Sequence, residues 1–318
     1  MATTPVPIAA DELIGDEENL KSIKARQRRN AAYGWAFLAP FILFFVVSFL
    51  IPIIVSVISA FYKETASGGG LYGGGEKTLT FVWFDNFITV IKDTDFWVGM
   101  GRVLLFGVIQ IPVMIGGALA LALLLDSLFV KRVTFFRLSY FLPYAVPGII
   151  AAMMWIFMYN PNFGPVGKIM PFSMFDRHVM LFSMANMTTW TFTGYNMLIF
   201  LAALQAIPTD LYEAARLDGA SEFKIVTKIK IPMLKGAALL AILLSIIGTV
   251  QLFNEPAALS VTNPDMGGKY TPMMMAYNAM MGNISPSGAG PANAVSLLMA
   301  VFAAALAFLY TYVQKKVD

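Results

Sequence analysis

The sequence predicts an all-α protein that crosses a membrane six times. Of its 318 residues, 58% are hydrophobic and 13% are charged, which is about half the usual charged share of soluble domains. The mean hydropathy is +0.69, and six apolar runs are long enough to cross a bilayer core, which takes roughly 20 residues. Because lipid offers the backbone no hydrogen bonds, such runs must form helices. The predicted fold class is therefore a polytopic, all-α membrane protein.

The six predicted spans follow one another along the chain. They comprise residues 33–61, 103–125, 138–160, 179–207, 236–254 and 292–313. The first span follows basic residues, as a signal peptide would, but it is too long and lacks a small-residue cleavage pattern, so we expect it to be retained. Prolines within the spans are expected to be kinks that membrane helices tolerate, and they include Pro40, Pro52, Pro143 and Pro147.

The basic residues predict that both termini are cytoplasmic. Fifteen of the 22 Lys and Arg residues fall in the two terminal segments and in the second-to-third and fourth-to-fifth connections. An excess of basic residues marks the cytoplasmic side of a membrane protein. Residues 1–30 mix acidic with basic residues and are expected to form a cytoplasmic tail or an interfacial helix. Residues 31–318 then form the six-helix transmembrane domain.

The connection after the first span is predicted to lie on the outer side. Its stretch GGGLYGGGE (68–76) has the composition of a flexible tether. The stretch FVWFDNFITVI (81–91) suits either an aromatic belt at the membrane interface or a small folded loop.

The sequence holds no recognisable set of catalytic or metal-binding residues. It has no cysteine and one histidine, His178, which is expected to be a solvated loop residue. No GxSxG, HExxH or GxxxxGK[ST] pattern occurs, so if ATP drives the protein another chain must bind it. The methionine-rich stretch 273–281 is expected to be a packing surface and not a soft-metal site.

One strongly charged segment interrupts the apolar runs. The stretch DLYEAARLDGASEFKIVTKIKIP (210–232) is rich in Asp, Glu, Lys and Arg. Each such charge costs about 2.5–3.5 kcal/mol at the centre of a membrane. The stretch therefore cannot be a seventh span, and we expect it to be cytoplasmic.

Two short helices are predicted within this segment. Thr209 or Asp210 can cap the first helix, and Glu213 lies in capping-box register with Asp210. Gly219 can end that helix in a left-handed conformation, and Ser221 can cap the second helix. The second helix carries apolar residues at helical spacing up to a terminating proline, at positions Phe223, Val226, Ile229 or Lys230, and Pro232. A small helical bundle offers this apolar face nothing to pack against, so we expect a soluble partner to bind it.

The string EAARLDGASEFKIVTKIKIP closely resembles the EAA signature of binding-protein-dependent ABC importer permeases. In that signature EAA, a glycine and a final I-x-L-P stand at fixed spacing, and here Ile231 replaces the leucine. The matching positions are Glu213, Ala214, Ala215, Gly219, Ile229 and Pro232. The stretches APFILFFVVSFLIPIIVSVISAFY, LPYAVPGIIAAMMWIFMYNPNFGPVGKI and LAALQAIPTDLYEAA resemble the maltose, lactose and glycerol-phosphate type of sugar permease.

The resemblance implies a permease subunit of an ATP-driven importer for a sugar or oligosaccharide in the plasma membrane. Such a subunit pairs with a second homologous permease subunit and docks its EAA helices on a dimer of ATP-binding cassette ATPases. Those ATPases bind the ATP and Mg²⁺, so this chain would be neither an enzyme nor a cofactor-binding protein. An extracytoplasmic solute-binding protein delivers the substrate, and no nucleic acid takes part. ATP-driven closure of the ATPases would turn the spans outward by alternating access.

The resemblance also places sugar contacts in the fourth and fifth spans. Thr188, Phe192 and Tyr195 fall at i, i+4 and i+7 on one helix face, with Thr191 at its edge. The same spacing in the fifth span joins Gly248, Gln251, Leu252 and Glu255, with Asn254 adjacent. Hydroxyls and amides suit the hydroxyls of a sugar, and aromatic rings suit its C–H face. The alternative is that these residues only form hydrogen bonds between helices.

A stand-alone secondary transporter or channel is the alternative function. It would need acidic residues or a coupling-ion site within the membrane, and only Glu255 lies near a span interior. Loss of uptake when ATP hydrolysis is blocked would favour the importer. A membrane enzyme is a third possibility, for which the chain offers no catalytic residues.

Overall fold

The computed structural model describes residues 10–67, 76–127, 130–263 and 266–317. In these ranges the chain is helical apart from one antiparallel hairpin and the connections, which confirms the predicted all-α class. The chain divides into two units, Met1–Ile58 and Ser59–Asp318.

The first unit is one long helical rod. It comprises α1 (Ala10–Phe45), a π-helical turn (Val46–Leu50) and α2 (Ile51–Ser59). Residues 10–30, for which a tail or an interfacial helix was expected, are helical and continuous with the first span. Pro40 lies inside α1 without breaking it, as expected for a tolerated kink.

A small hairpin and a short helix open the second unit. Strands β1 (Tyr62–Ser67) and β2 (Glu76–Phe81) pair antiparallel, and α3 (Asp85–Lys92) follows. The side-chain amide of Asn86 donates to the carbonyl oxygens of Ala60 (2.8 Å) and Tyr62 (2.9 Å), which holds α3 against the base of the hairpin. Residues 81–91 therefore form part of a small folded unit. Of the predicted tether, residues 68–76, the last residue begins β2, and residues 68–75 lie outside the described ranges.

Four segments are long and apolar enough to cross a membrane by themselves. They are Ile23–Ser59, Thr94–Leu125, Lys235–Ser260 and Ala289–Lys316. Two further pairs qualify if each bent pair is one span, Val133–Ala145 with Gly148–Tyr159 and Met180–Gln205 with Asp210–Leu217. Counted in this way, six spans occur in the predicted order. After the first span, the corresponding elements are α4 (Thr94–Leu125), the two halves of the third span α5 (Val133–Phe141) and α6 (Gly148–Tyr159), then α8 (Met180–Gln205), α12 (Lys235–Val250) and α15 (Ala289–Val317).

The third span is broken, and the expectation of a tolerated kink is wrong there. After α5 a 3-10 turn (Leu142–Ala145) leads into α6, and the two halves are bent by 98°. Pro143 and Pro147 both lack an N–H group, and Val146, the residue before the second proline, is extended (φ −80°, ψ 128°). A residue before proline is biased away from the helical conformation, so two prolines at this spacing end the helix.

Short helices complete the second unit. They are α7 (Pro165–Ile169), α9 (Asp210–Leu217), α10 (Glu222–Ile225), α11 (Ile231–Met233), α13 (Asn254–Ser260) and α14 (Pro272–Met280). The methionine-rich stretch 273–281 falls on α14, where Met274 and Met275 are buried, so it is a packing surface as expected. His178 is exposed.

Helices α4 and α8 form the centre of the second unit. A buried apolar cluster runs along them from Met114 and Phe200 to Tyr212 and Ile225 of the charged segment. Helix α8 packs directly on the backbone of α5 at Gly194. A Cβ atom at this position would overlap the Tyr140 carbonyl oxygen, so only glycine allows the close approach.

Candidate functional site

A cavity of about 310 Å³ lies among α4, α8, α12 and the chain that follows α12. All six residues that the sequence proposes for the substrate pathway line it: Thr188, Phe192, Tyr195, Gln251, Asn254 and Glu255. The structure therefore brings the two predicted stripes together around one space.

The α8 wall follows the predicted helical face. The Thr188 hydroxyl lies 3.1 Å from the Met184 carbonyl oxygen and 3.0 Å from Glu255 Oε1, two acceptors that share its proton. Thr191, expected at the edge of the stripe, is buried and donates to the Met187 carbonyl oxygen (3.1 Å). Its hydroxyl is thereby used within the helix.

The opposite wall is a break in the fifth span and not a helical face. Helix α12 ends at Val250, and the chain turns through Gln251 (φ −92°, ψ 19°) and Phe253 (φ −139°) before α13 begins. The predicted helical spacing across residues 248–255 is therefore wrong, although the turn itself presents these residues to the cavity. The Thr271 hydroxyl donates to the Leu252 carbonyl oxygen (3.1 Å), which satisfies a backbone acceptor at the break. Irregular backbone at membrane depth is tolerated where it is buried or lines a cavity.

Sequence reasoning missed several residues that line the cavity, and one, Tyr144, that packs against its wall. Gln110 of α4 is buried and its amide contacts Met114 Sδ at 3.0 Å. It was detectable as a lone polar residue inside a long apolar run. The ring of Tyr144, from the broken third span, stacks on Tyr195 with centroids 4.7 Å apart and meets Phe192 edge-on at 5.7 Å. The sequence did not predict the break in the third span, so it could not predict that the Tyr144 ring packs on Tyr195. Asn196, Ser245 and Thr249 also line the cavity.

The cavity wall combines hydroxyls, amides, one carboxyl group and aromatic rings. Such a wall can bind a ligand that offers many hydroxyls and an apolar face, since a few placed polar groups among aromatic ones fix orientation. In the described parts of the chain, no group of three or more His, Cys, Asp or Glu residues could hold a metal ion.

The charged segment, residues 209–232, forms a helix-turn-helix that we call the coupling segment. Gly219 has φ +79°, as predicted for the turn. The Ser221 hydroxyl accepts from the Lys224 N–H (3.4 Å), as predicted for the second cap. The predicted cap of the first helix is wrong, because Thr209 is itself helical (φ −62°, ψ −31°) and makes no side-chain cap bond. A capping side chain needs an extended backbone to reach the first turn.

Pro232 does not end the second helix. A π-helical turn (Val226–Lys230) comes first, with the Ile231 N–H donating to the Val226 carbonyl oxygen, and α11 carries Pro232 near its start. A proline is tolerated in the first turn of a helix, where its missing N–H group has no partner to lose. The chain therefore stays largely helical into α12.

The coupling segment presents an apolar surface to solvent. Leu217 is 89% exposed and Phe223 is 76% exposed. Across the turn, the Arg216 Nε donates to Glu222 Oε1 (2.7 Å), and this bond lowers the pKa of the Glu222 carboxyl below its ordinary value. Of the six signature residues, four are exposed (Glu213, Ala214, Gly219, Pro232) and two are half-buried (Ala215, Ile229).

The Lys230 side chain points into the protein. The sequence predicted only that position 229 or 230 would lie on the apolar face of the second helix. Its Nζ lies 2.6 Å from Asp126 Oδ2 at the end of α4, and 4.9 Å from the ring centroid of Tyr212 in α9. The Lys230 side chain is 8% exposed and that of Asp126 is 19% exposed. One lysine thus connects three elements, and the π-helical turn, which adds a residue to the helix, sets its direction.

Comparison with known proteins identifies a family model and several relatives that the chain resembles. Residues 113–318 match the family model described as "Binding-protein-dependent transport system inner membrane component". The chain is 30% identical over 293 residues to the lactose transport system permease protein LacF of Rhizobium radiobacter, which covers 89% of this chain and 94% of the relative. It is 30% identical over 291 residues to the sn-glycerol-3-phosphate transport system permease protein UgpA of Brucella suis, with coverage of 88% and 94%.

Two solved structures share the fold. A chain of a bacterial ABC transporter that imports the acidic polysaccharide alginate has a TM-score of 0.74 at 17% identity, covering 94% of this chain and 99% of that chain. A chain of a bacterial alginate ABC transporter in complex with an alginate pentasaccharide-bound periplasmic protein has a TM-score of 0.76 at 16% identity, covering 92% and 97%.

Proposed function

The chain belongs to the family of binding-protein-dependent transport system inner membrane components, and from this premise we propose that it carries a sugar or oligosaccharide across the plasma membrane. It is a transmembrane permease subunit of an ABC importer. The observation that carries the sugar proposal is the cavity, in which hydroxyls, amides and aromatic rings from α8 and the α12 break face one space. Relatives named for lactose and arabinooligosaccharide transport support the same substrate class.

The partners follow from the surfaces that the chain presents. The exposed apolar residues Leu217 and Phe223, together with Glu213 and Gly219, are proposed to dock on an ATP-binding cassette ATPase, which binds the ATP and Mg²⁺. A second permease subunit completes the pore, and an extracytoplasmic binding protein delivers the sugar. Both termini are proposed to be cytoplasmic, because basic residues are concentrated near both ends of the chain.

The proposed mechanism moves the coupling segment and the cavity together. Lys230 ties the segment to Asp126 at the end of α4, and the apolar cluster continues from Tyr212 to Met114, a cavity residue. Closely packed elements shift as units, so a movement of the docked segment reaches the walls of the cavity. ATP binding by the partner thereby alternates access to the sugar.

Transport kinetics of cavity variants test this function. The assay uses the complete complex in proteoliposomes, at matched membrane levels, for Tyr195→Ala and Gln251→Ala. We expect sugar uptake to be lost or altered while the loaded binding protein still stimulates the ATPase. Phe182→Ala, an exposed residue on α8 that does not line the cavity, is the matched control and keeps transport. Unchanged transport in both cavity variants would remove this cavity from the pathway.

A block of ATP hydrolysis distinguishes the importer from a secondary transporter. In the importer, uptake stops when the partner ATPase carries an inactivating substitution. Uptake that continues under this block would instead support an ion-coupled carrier, with Glu255 as the acidic residue that such a carrier requires.

A further inference from the structure

The charge of the cavity wall limits what the cavity can hold. Glu255 is the one ionisable acid among the described residues that line it, and no Lys, Arg or His is among them. The Glu255 side chain is buried and its Oε1 lies 3.0 Å from the Thr188 hydroxyl. The wall therefore offers many hydrogen bonds and no positive charge.

Three basic side chains outside the cavity have other partners, whereas Arg137 of α5 is half-buried with an Nε that makes no hydrogen bond, and it does not line the cavity either. The Arg102 guanidinium donates to the Tyr270 carbonyl oxygen (3.0 Å) and lies 4.3 Å from the centroid of the Tyr270 ring. Lys230 and Lys269 bind Asp126 (2.6 Å) and Asp93 (2.7 Å). Redirecting one of these cations into the cavity would leave a buried or half-buried partner without its bond.

An anion would meet an uncompensated loss of solvation in this cavity. Removing an ion from water is unfavourable unless an opposite charge and hydrogen bonds replace the water. An ionised Glu255 about 5 Å away would add a repulsion that lowers binding on the order of 100-fold at an effective dielectric constant of about 20. A protonated Glu255 would remove the repulsion but would still supply no cation. Either state of Glu255 disfavours an anion.

We infer that the substrate crossing this cavity is an uncharged, hydroxyl-rich sugar, and not a sugar phosphate or a uronate, and that Glu255 contacts one of its hydroxyls. This inference rests on the proposed role of the cavity in transport. It separates the chain from relatives and fold neighbours named for sn-glycerol 3-phosphate and alginate, both of which are anionic.

The first test measures which probe the complete complex accumulates. Proteoliposomes with the binding protein and ATP receive labelled neutral sugars (lactose, maltose, trehalose) or anionic probes (sn-glycerol 3-phosphate, a galacturonate trisaccharide). We expect accumulation of a neutral probe, with anionic probes transported at least about 100-fold less efficiently. Efficient accumulation of an anionic probe would overturn the inference and leave a sugar-derivative importer in place. Accumulation of a neutral compound that is not a saccharide would overturn the proposed function and leave the charge inference standing.

The second test examines Glu255 directly. Glu255→Gln is expected to raise the KM for the neutral sugar about tenfold, because an amide NH2 replaces one carboxyl oxygen and the hydrogen bond to the sugar hydroxyl is weakened, while maximal ATPase stimulation is kept. Asp85→Asn, an exposed acidic residue at the start of α3, is the matched control and leaves KM unchanged. An unaltered KM in Glu255→Gln, at matched membrane levels, would overturn the contact between Glu255 and the sugar.

Discussion

Removal of Lys230 tests whether the inward-facing lysine joins the coupling segment to the transmembrane helices. In Lys230→Ala the Asp126 carboxylate keeps its position at the end of α4 but loses the Nζ group at 2.6 Å. The ring of Tyr212 also loses the cation 4.9 Å from its centroid. The substitution therefore disconnects three elements with a single change.

The size of the effect follows from burial. Removing one partner of a buried ion pair costs about 3–5 kcal/mol, because the other charge stays buried without compensation. Asp126 is 19% exposed, so some water can reach it, and we expect a value of about 3 kcal/mol, at the lower end. The exposed pair of Arg216 and Glu222 on the same segment should contribute far less, since solvent screens it.

The measurement compares thermal unfolding and stimulated ATPase activity of the purified complex. We expect Lys230→Ala to lower the unfolding temperature by about 4 °C, and to reduce stimulation by the loaded binding protein. The exposed Lys228→Ala, two residues away, is the matched control. The double variant Asp126→Asn with Lys230→Met should recover most of the stability, because no charge is left unpaired. If Lys230→Ala behaves like Lys228→Ala in both measurements, the reasoning is refuted.

Three further predictions concern backbone and topology. Gly194→Ala should destabilise the protein by about 3 kcal/mol or prevent assembly, because its Cβ atom would overlap a backbone carbonyl of α5. The folded yield after extraction measures this, and the control Gly117→Ala, whose Cβ atom would make only an ordinary side-chain contact, should fold. Equal yields of the two variants would contradict the close approach. Gly219→Val should insert normally but abolish transport and binding-protein stimulation of the ATPase, since a β-branched residue is strained at φ +79°; normal stimulation would exclude a role for this turn in coupling. Single cysteines at Ala220 and Ser285 should react with a membrane-impermeant reagent in intact cells only at position 285, and labelling at position 220 would contradict the cytoplasmic assignment.

The sequence predicted the turn of the coupling segment and the cap of its second helix because these signals are local. A glycine that must turn and a serine that caps act within a few residues, and both are found as expected at Gly219 and Ser221. The inward direction of Lys230 was not predictable in this way. Four lysines stand within residues 224–235, and only the π-helical turn, whose position no residue type announces, selects which one is buried.

The cavity shows the same division between local and non-local information. Helical spacing on α8 correctly grouped Thr188, Phe192 and Tyr195, because that helix is regular. The same rule misread the geometry around Gln251, where α12 ends, although the residues themselves do line the cavity. Tyr144 stacks on the cavity residue Tyr195 from the point where the third span breaks, and a proline in a membrane helix is compatible with either a mild kink or a full break.

The break in the third span lets one span contact α8 along two different directions. The Tyr144 ring lies against Tyr195, and the Tyr140 backbone contacts α8 at Gly194, so α5 is held to α8 at two points. Helix α6 leaves the break at 98°. Helix α6 is bonded to α8 as well, because the Asn186 amide donates to the Tyr159 hydroxyl (2.7 Å) and the Trp155 ring meets the Trp190 ring edge-on at 6.0 Å. Both halves of the broken span are therefore fastened to the same helix, and a displacement of α8 would be transmitted to the backbone on either side of the bend.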